Sequence, residues 1–570
     1  MKKLRKGFTR FTAVALLIAL SAIPALADPP TIPADKLKTA PGNTYLDPPV
    51  TRAIPDMTPY SAFDPPKNPL FDLKNLTFSG DARVRPEWRN NSSFGVATGT
   101  GAGRQTIANS FYVQQWMRLG INYAIAPDVD VFFQPQWAKN WGAANNTGAT
   151  GAGCQSNVCA NDPFNVGQGD SLFARQAFIM IRNLGIDGLS MKLGRQMVVM
   201  GNHRLFGNFD WANTGFSHDG ITMQYSQPMW EVWGGWLRPL DTSFNIAPAG
   251  ASISSSSFGV LPQGVVPQNG IASQSADLFF SRLVFKPITG LSLEPLWVFF
   301  RNSVYGPATA PFATGNLTQT AHALGQSRHN VGGRAAYRAG WFDGTAEGYW
   351  QFGAMSLPST PGAENLHINA YAAAIEAGIT FPIPWSPRIG GEFNYASGDG
   401  NANRCNQTSA TVATCNGHAN TFENFYPTNH ILMGYADLMA WRNMVGYSGS
   451  LQMKPFDYQA NQLEFKFWMF RKANQGDCWY RAAQNCMFNQ GIPGAVPTAT
   501  SSSLYREVDA IYTLFFKNNK VSWQIGGSYL MAGQFLDQVA QAGTAATPNG
   551  SFASSAVNQL WAYTQIHVNF

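Results

Sequence analysis

The most constraining stretch of this chain is its end. From Leu560 to Phe570 it reads LWAYTQIHVNF, in which Leu560, Ala562, Thr564, Ile566 and Val568 are apolar or small while Trp561, Tyr563, Gln565, His567 and Asn569 carry polar atoms. A repeat of two belongs to a β-strand, whose side chains alternate between faces. One face of this strand suits lipid and the other suits polar surroundings. A strand in hydrocarbon cannot stand alone: no water is there to satisfy its N–H and C=O groups, and only a closed barrel pairs them all. Strands of the same kind are therefore expected back to the start of the chain.

Composition agrees with a wall between lipid and water. Charged residues are 13% of the chain and aromatics another 13%, whereas a soluble protein carries about 25% charged residues. No later stretch has the run of 18 or more apolar residues that marks a membrane helix. A soluble β-sandwich or β-helix is the competing class, and it has no use for so few charges and so many aromatics. Ending on Phe570, the last strand resembles the closing strand and assembly signal of bacterial outer-membrane β-barrels, which implies lipid and the barrel-assembly machinery as partners.

The first residues point to export. Lys2, Lys3, Arg5, Lys6 and Arg10 precede an 11-residue apolar run, Ala13 to Ile23, and the small-residue end Ala25-Leu26-Ala27. That is the pattern of a signal peptide, residues 1–27, cleaved before Asp28. Without it the formal net charge falls from +6 to +1. No basic excess then remains for nucleic acid, which is excluded as a partner. Residues 28–75 are rich in proline and lack periodicity, so they read as a disordered or plug-like periplasmic segment and a site for a periplasmic partner.

Residues 76–570 read as the barrel. Period-two segments recur near 76–89, 111–125, 129–140, 171–182, 189–197, 219–226, 229–238, 277–286, 291–302, 328–338, 342–353, 368–380, 387–398, 445–454, 460–471, 505–516, 520–531 and 559–570. They make an all-β, membrane-spanning, antiparallel up-and-down barrel of about 18 strands, an even number as both termini in the periplasm require. Even-numbered connections such as Ala126–Asp128 and Lys517–Asn519 are short and odd-numbered ones are long, so the long loops lie outside the cell. Three of the four longest hold the cysteine pairs Cys154/Cys159, Cys405/Cys415 and Cys478/Cys486, read as disulfides of an oxidising compartment.

Strand parity places Arg83, Arg85, Arg89, Arg118, Arg175, Arg282, Arg334, Arg338 and Arg388 inside, with Lys192, Lys454 and Lys466. Inward acids, Glu347 and Glu392 among them, nearly balance them. Guanidinium groups grip carboxylates at two points, so clustered arginines suggest an anionic cargo. Arg–Glu ladders that only brace the wall are the plainer alternative. Arg195 falls on the outer face with Met191 and Leu193 unless a bulge intervenes.

The most specific residues lie between Gly188 and Gly220: LGRQ, then HRLFG, DWANTG and a DG that opens the next strand. With HNVGGRAAY and FDGTAEGYWQFG (329–353), ASGDG (396–400), TFENFYPTNHILMGYADLMAWRN (421–443) and REVDAIYT with SYLMAGQFL (506–536), they resemble the alginate export family of 18-stranded outer-membrane barrels. The resemblance implies Arg195, Gln196, Arg204, Asp210, Trp211 and Asn213 as a motif loop that narrows the pore or touches substrate. It also implies passive passage of an anionic or polar solute, a polyuronate such as alginate being the cargo of the family's named member. The family's named member has a strongly electropositive constriction, whereas the lumen here is only mildly basic.

Two rival functions stand beside the channel. A barrel enzyme needs a nucleophile or an activated water beside a positioned His and carboxylate. His218 and Asp219 are adjacent and would point to opposite faces of a strand, so no catalytic residue is assigned. A sealed barrel acting as receptor, adhesin or scaffold is the other rival. No cofactor is called for, and no phosphate-binding GxxxxGK[ST] loop occurs. Asp399, Asn401 and Asn403 have the alternate spacing of calcium ligands, which turn chemistry explains equally well, and no metal is assigned.

Overall fold

In the computed structural model the described residues are 71–73, 75–91, 94, 109–141, 171–241, 273–305, 326–357, 360–400, 417–456, 460–480, 482, 486–488, 501–545 and 555–570. The leader, most of the proline-rich segment and the outer parts of several loops lie outside them, as do Cys154, Cys159, Cys405, Cys415, Asn401 and Asn403.

Eighteen strands build the wall. They are β1 Leu76–Asn90, β2 Asn109–Ala126, β3 Val129–Asn140, β4 Ser171–Ile181, β5 Leu189–Gln196 and β6 His218–Ser226. Next come β7 Trp230–Asp241, β8 Ser273–Phe285, β9 Leu291–Tyr305, β10 Gln326–Ala339, β11 Phe342–Leu357 and β12 Thr360–Thr380. The circuit ends with β13 Arg388–Ala396, β14 Met444–Met453, β15 Asn461–Arg471, β16 Ser503–Phe516, β17 Val521–Ala532 and β18 Gln559–Asn569. Each pairs antiparallel with the next, and β18 pairs back onto β1 from Asp81↔Asn569 to Asn90↔Leu560. The expected closed barrel and its strand count are borne out. A three-residue strand, Phe71–Leu73, folds back on Leu76–Phe78, so the sheet begins inside the segment read as proline-rich.

Alternation decides which face is which. Along β1, Ser79, Asp81, Arg83, Arg85, Glu87 and Arg89 are buried, whereas Trp88 is exposed on the other face. On β18, Trp561, Tyr563, Gln565 and His567 are buried while Leu560 and Ile566 face out. The outer wall carries Leu119, Ile125, Ile375, Ile379 and Ile525, with Trp141, Trp341 and Trp385 near strand ends, as a lipid-facing band between aromatic belts requires. The sequence showed no sign of α1, Gln534–Ala545, which forms part of the β17–β18 connection and buries Phe535, Leu536, Val539 and Ala540.

The interior is filled by two loops. Residues 197–217, between β5 and β6, and 420–443, between β13 and β14, turn inward, and residues 422–444 are buried without a break. They are stitched together: Phe206 bridges Tyr426, Gly207 N donates to Tyr426 O at 2.8 Å, Tyr426 N to Leu205 O at 3.0 Å and Thr428 N to His203 O at 2.9 Å. The rings of Phe206 and Phe425 stack at 5.7 Å.

The seam of the barrel depends on one glycine. Phe570 N donates to Gly80 O at 2.9 Å and Gly80 N to Phe570 O at 2.6 Å. A Cβ on Gly80 would lie 2.5 Å from the Phe570 ring and 2.6 Å from the Arg118 carbonyl oxygen. Gly80→Val is therefore expected to destabilise the barrel by about 1–3 kcal/mol, the usual cost of overpacking. The check is a lowered denaturant midpoint of the refolded protein, against an unchanged midpoint for a substitution at Gly449, where a Cβ meets nothing within 4 Å.

Candidate functional site

The site is built where the first wall strands meet the inward loop. β1, β2 and β4 project Arg83, Arg85, Arg118 and Arg175 into the barrel, and all four converge on Asn208 to Thr214. Arg118 grips the Asp210 carboxylate at two points, Nη1 to Oδ2 at 3.1 Å and Nη2 to Oδ1 at 2.8 Å. Arg175 Nη2 adds a bond to Oδ1 at 2.8 Å. Arg83 donates to the carbonyls of Asp210 at 2.7 Å and Trp211 at 2.9 Å, and Arg85 donates to the Trp211 carbonyl at 2.7 Å. With Arg175 also donating to the carbonyls of Asn208 and Thr214, one loop carboxylate and four loop carbonyls take up four wall arginines.

Aromatic rings complete the clamp. The Arg85 guanidinium lies 3.4 Å over the Trp211 ring, whose other face stacks on His430 at 3.6 Å. Arg83 sits 3.5 Å over Trp116. Cation–π contacts of this kind gain from the absence of water. Asn213 is held from both sides: its carbonyl accepts from Gln136 Nε2 at 2.6 Å and its Nδ2 donates to Lys139 O at 3.2 Å. Gly215 has φ +62°, and the Arg175 guanidinium occupies the place of its missing side chain, 2.5 Å from a built Cβ. The glycine of DWANTG is thus set by a left-handed backbone and a guanidinium packed against it.

Across the lumen the loop presents a cation instead. Arg204 donates through Nε to Glu347 at 2.6 Å, through Nη2 to Glu392 at 2.9 Å and through Nη1 to Asn394 at 2.7 Å. Burial opposes its charge, but the Glu347 and Glu392 carboxylates outweigh burial and raise its pKa. Lys466 shares Glu392 at 2.9 Å. Arg334 and Arg282 both bind Glu294, at 2.9 and 2.6 Å. Arg388 takes Asp343 at two points, 3.0 and 2.6 Å, and Arg338 stands exposed at the end of β10. Arg83 and Arg118 therefore meet at Asp210, whereas Arg334 and Arg388 are held by Glu294 and Asp343 on other strands.

The motif residues divide. Arg204, Asp210, Trp211 and Asn213 belong to the inward loop, but Arg195 and Gln196 end β5 and are not loop residues. Arg195 lies on the outer face, as plain parity gives, with Nη1 3.0 Å from Asp219 on β6 and Nε donating to Ala174 O at 2.8 Å. Gln196 points in and accepts from Thr222 Oγ1 at 2.7 Å. Sequence reasoning missed His430 and Asp437, whose side chains bond to each other beneath Trp211, and missed that loop carbonyls would be the main arginine acceptors. Periodicity could not have found either: a loop has none, and every residue has a carbonyl.

His218 is buried and edge-on to Tyr426 at 4.6 Å, while Asp219 is 58% exposed on the opposite face, so they form no dyad. Asp399 accepts from Asn420 N at 3.0 Å and its own N–H donates to Asp477, which is turn bonding. Cys478 is disulfide-bonded, and Cys486 begins a short strand paired with Trp479–Tyr480.

A family model described as alginate export matches residues 74–547. The chain belongs to the alginate export family. No curated protein matches it. Solved structures similar in fold include Pseudomonas aeruginosa OccK9 (OpdG), at 9% identity and a TM-score of 0.49 over 87% of this chain and 99% of that one. Acinetobacter baumannii OccAB2 has 8% identity and a TM-score of 0.47 over 86% and 98%. A BenF-like porin from Pseudomonas fluorescens Pf-5 has 7% identity and a TM-score of 0.43 over 86% and 99%. This alginate export family barrel is a porin-like transport channel of the Gram-negative outer membrane, its outer wall set in lipid.

Asp210→Ala leaves Arg118 and Arg175 buried without their carboxylate, which costs about 3 kcal/mol. Protease nicking within 197–217 should rise sharply while the wall strands stay intact. Burial holds His203 at a pKa of about 4, below its ordinary 6.5. A depressed pKa means that the neutral form is favoured in the fold, so this contribution is complete above pH 6.5 and is lost as pH falls towards 4. The same nicking assay run from pH 7.5 to 4 should show the loop loosening across that window, and His203→Asn should flatten the dependence.

Proposed function

We propose that this barrel gives passive passage to an anionic or polar solute, with a polyuronate such as alginate as the cargo the family suggests, and that segment 197–217 is the constriction such a solute meets. The observation that carries this reading is the set of four arginines gathered on Asp210 and its neighbouring carbonyls. Their two-point geometry is that of a carboxylate receptor. In the resting chain the carboxylate is the protein's own. A solute carboxylate that competes for Arg118 and Arg175 would release the loop and enter the path it vacates. Buried acids match buried bases almost one for one among the described residues, so the selectivity proposed here is local and does not come from a net positive lumen.

The unbroken burial of residues 422–444 favours a second reading, a sealed barrel that serves as receptor, adhesin or scaffold. Single-channel current in a planar bilayer separates the two. On the transport reading, wild type conducts weakly with an anion-selective reversal potential, and oligouronate blocks the current. Asp210→Ala raises conductance several-fold, and Arg118→Gln with Arg175→Gln removes the block. Current without anion preference or block would leave a general pore. No current from wild type and Asp210→Ala alike, both shown to be folded, would sink transport in favour of the sealed barrel.

A further inference from the structure

The outer face of the barrel carries arginines too, and they differ in one respect. Near the long-loop end, which is the extracellular end, Arg195 pairs with Asp219 at 3.0 Å and Arg238 with Asp277 at 3.4 Å, while Arg301 stands directly across from Asp277. Three arginines thus alternate with two aspartates along adjacent strands, and each arginine has an acid beside it.

Arg471 and Arg506 do not follow that pattern. Arg471 ends β15 and Arg506 lies near the start of β16, both exposed on the lipid-facing side. Arg506 is opposite Met469, two residues from Arg471 on the same face, and a register shift after Phe470 sets Arg471 opposite Ser503, so the two arginines lie near one another on one edge of the strand pair. Like charges so placed repel. Neither has an acidic partner among the described residues. The stretches outside the described residues nearby supply none either: residues 401–416, 483–485, 489–500 and 546–554 contain no Asp or Glu. The nearest acids in sequence are committed elsewhere. Asp477 is buried and accepts from Tyr480 Oη and Cys478 N, Glu507 points inward to Ala436 N, and Asp537 accepts from Ala556 N.

Just towards the membrane centre runs an exposed row, Phe467, Val508, Tyr529 and Leu560, each opposite the next. The arginines thus sit immediately above an acyl-chain surface, where guanidinium groups reach for anionic headgroups. We propose that Arg471 and Arg506 form a binding site for the phosphate groups of the phosphorylated glycolipid of the outer leaflet, whose acyl chains lie against the Phe467–Leu560 row. Two guanidiniums on one edge match a phosphate's several oxygens, and the bound anion removes their mutual repulsion. The inference rests on location in the outer membrane and is independent of what the channel carries.

The test uses the full-length barrel refolded in neutral detergent, titrated by native mass spectrometry with bisphosphorylated lipid A, the same lipid with its phosphates removed, and inorganic phosphate. Expected is a preference of at least about tenfold for the phosphorylated lipid, lost in Arg471→Ser/Arg506→Ser and kept in Arg195→Ser/Arg238→Ser. Should the double variant not fold, Arg506→Gln alone carries the comparison. Equal binding by wild type and variant, or indifference to the lipid's phosphates, overturns the proposal. Inorganic phosphate that competes as well as the lipid does would mean an adventitious ion only and would overturn it as well.

Discussion

Everything in this molecule follows from the need to pair backbone groups where no water can reach them. The β18–β1 seam is where that requirement is met last, because strands at opposite ends of the sequence have to find one another before the ring has no edge. The terminal residue takes part in it: Phe570 exchanges two hydrogen bonds with Gly80, which is bare enough to let the ring lie flat. Once the ring is closed, its radius and strand tilt are set by strand number together with the stagger of the register. The lumen they leave is then furnished by loops.

Filling that lumen raises a problem of charge. Arginines such as Arg83, Arg85 and Arg175 are almost wholly buried, and each ion taken from water costs several kcal/mol before any partner repays it. A buried pair gains little over an apolar one, but a broken pair costs a great deal. The clamp is therefore better understood as fixing where the loop sits than as adding net stability. Asp210 has one position in which Arg118 meets it at two points while Arg175 also reaches it, and a shift of an ångström loses several bonds together. Arg204, bound to Glu347, Glu392 and Asn394, does the same for the other end of the loop. The segment is thus pinned to the wall near both ends.

The wall was legible in the sequence and the furnishing was not, for a physical reason. Strand side chains alternate rigidly, so the parity of Arg83, Arg118, Glu347 and Trp561 fixes their side of the sheet without any knowledge of their neighbours, and Arg195 falls outside by the same rule. Parity says nothing about what a side chain meets. Arg83 finds backbone carbonyls 127 and 128 residues away, acceptors that carry no signature of residue type. The motif DWANTG marked the right loop, yet its composition reads equally well as turn chemistry. Only the fold distinguishes Asp210, gripped by two arginines, from Asp219, a few residues on and paired with Arg195 on the outer face.

Charge is distributed around the lumen in arcs, and the arcs bear on selectivity. β1, β2 and β4 supply Arg83, Arg85, Arg89, Arg118 and Arg175, whereas β15 and β16 supply Glu464, Glu507 and Asp509 beside Lys466. Summed over the barrel the two signs nearly cancel, so a distant ion feels little. A solute inside feels a strong local field, because low-dielectric walls and excluded water leave it poorly screened. Burial together with Arg85, Arg89 and Arg83 pushes His430, at the edge of the basic arc, well below its usual pKa. A neutral imidazole there donates Nδ1–H to Asp437, which fixes the ring against Trp211 and adds no further positive charge to the cluster. The basic arc carries its charge on guanidiniums, not on the imidazole. On the proposed reading, a carboxylate cargo therefore competes with Asp210 for the arginines, and acidity acts on the loop that covers the site, which is expected to loosen as His203 gains its proton.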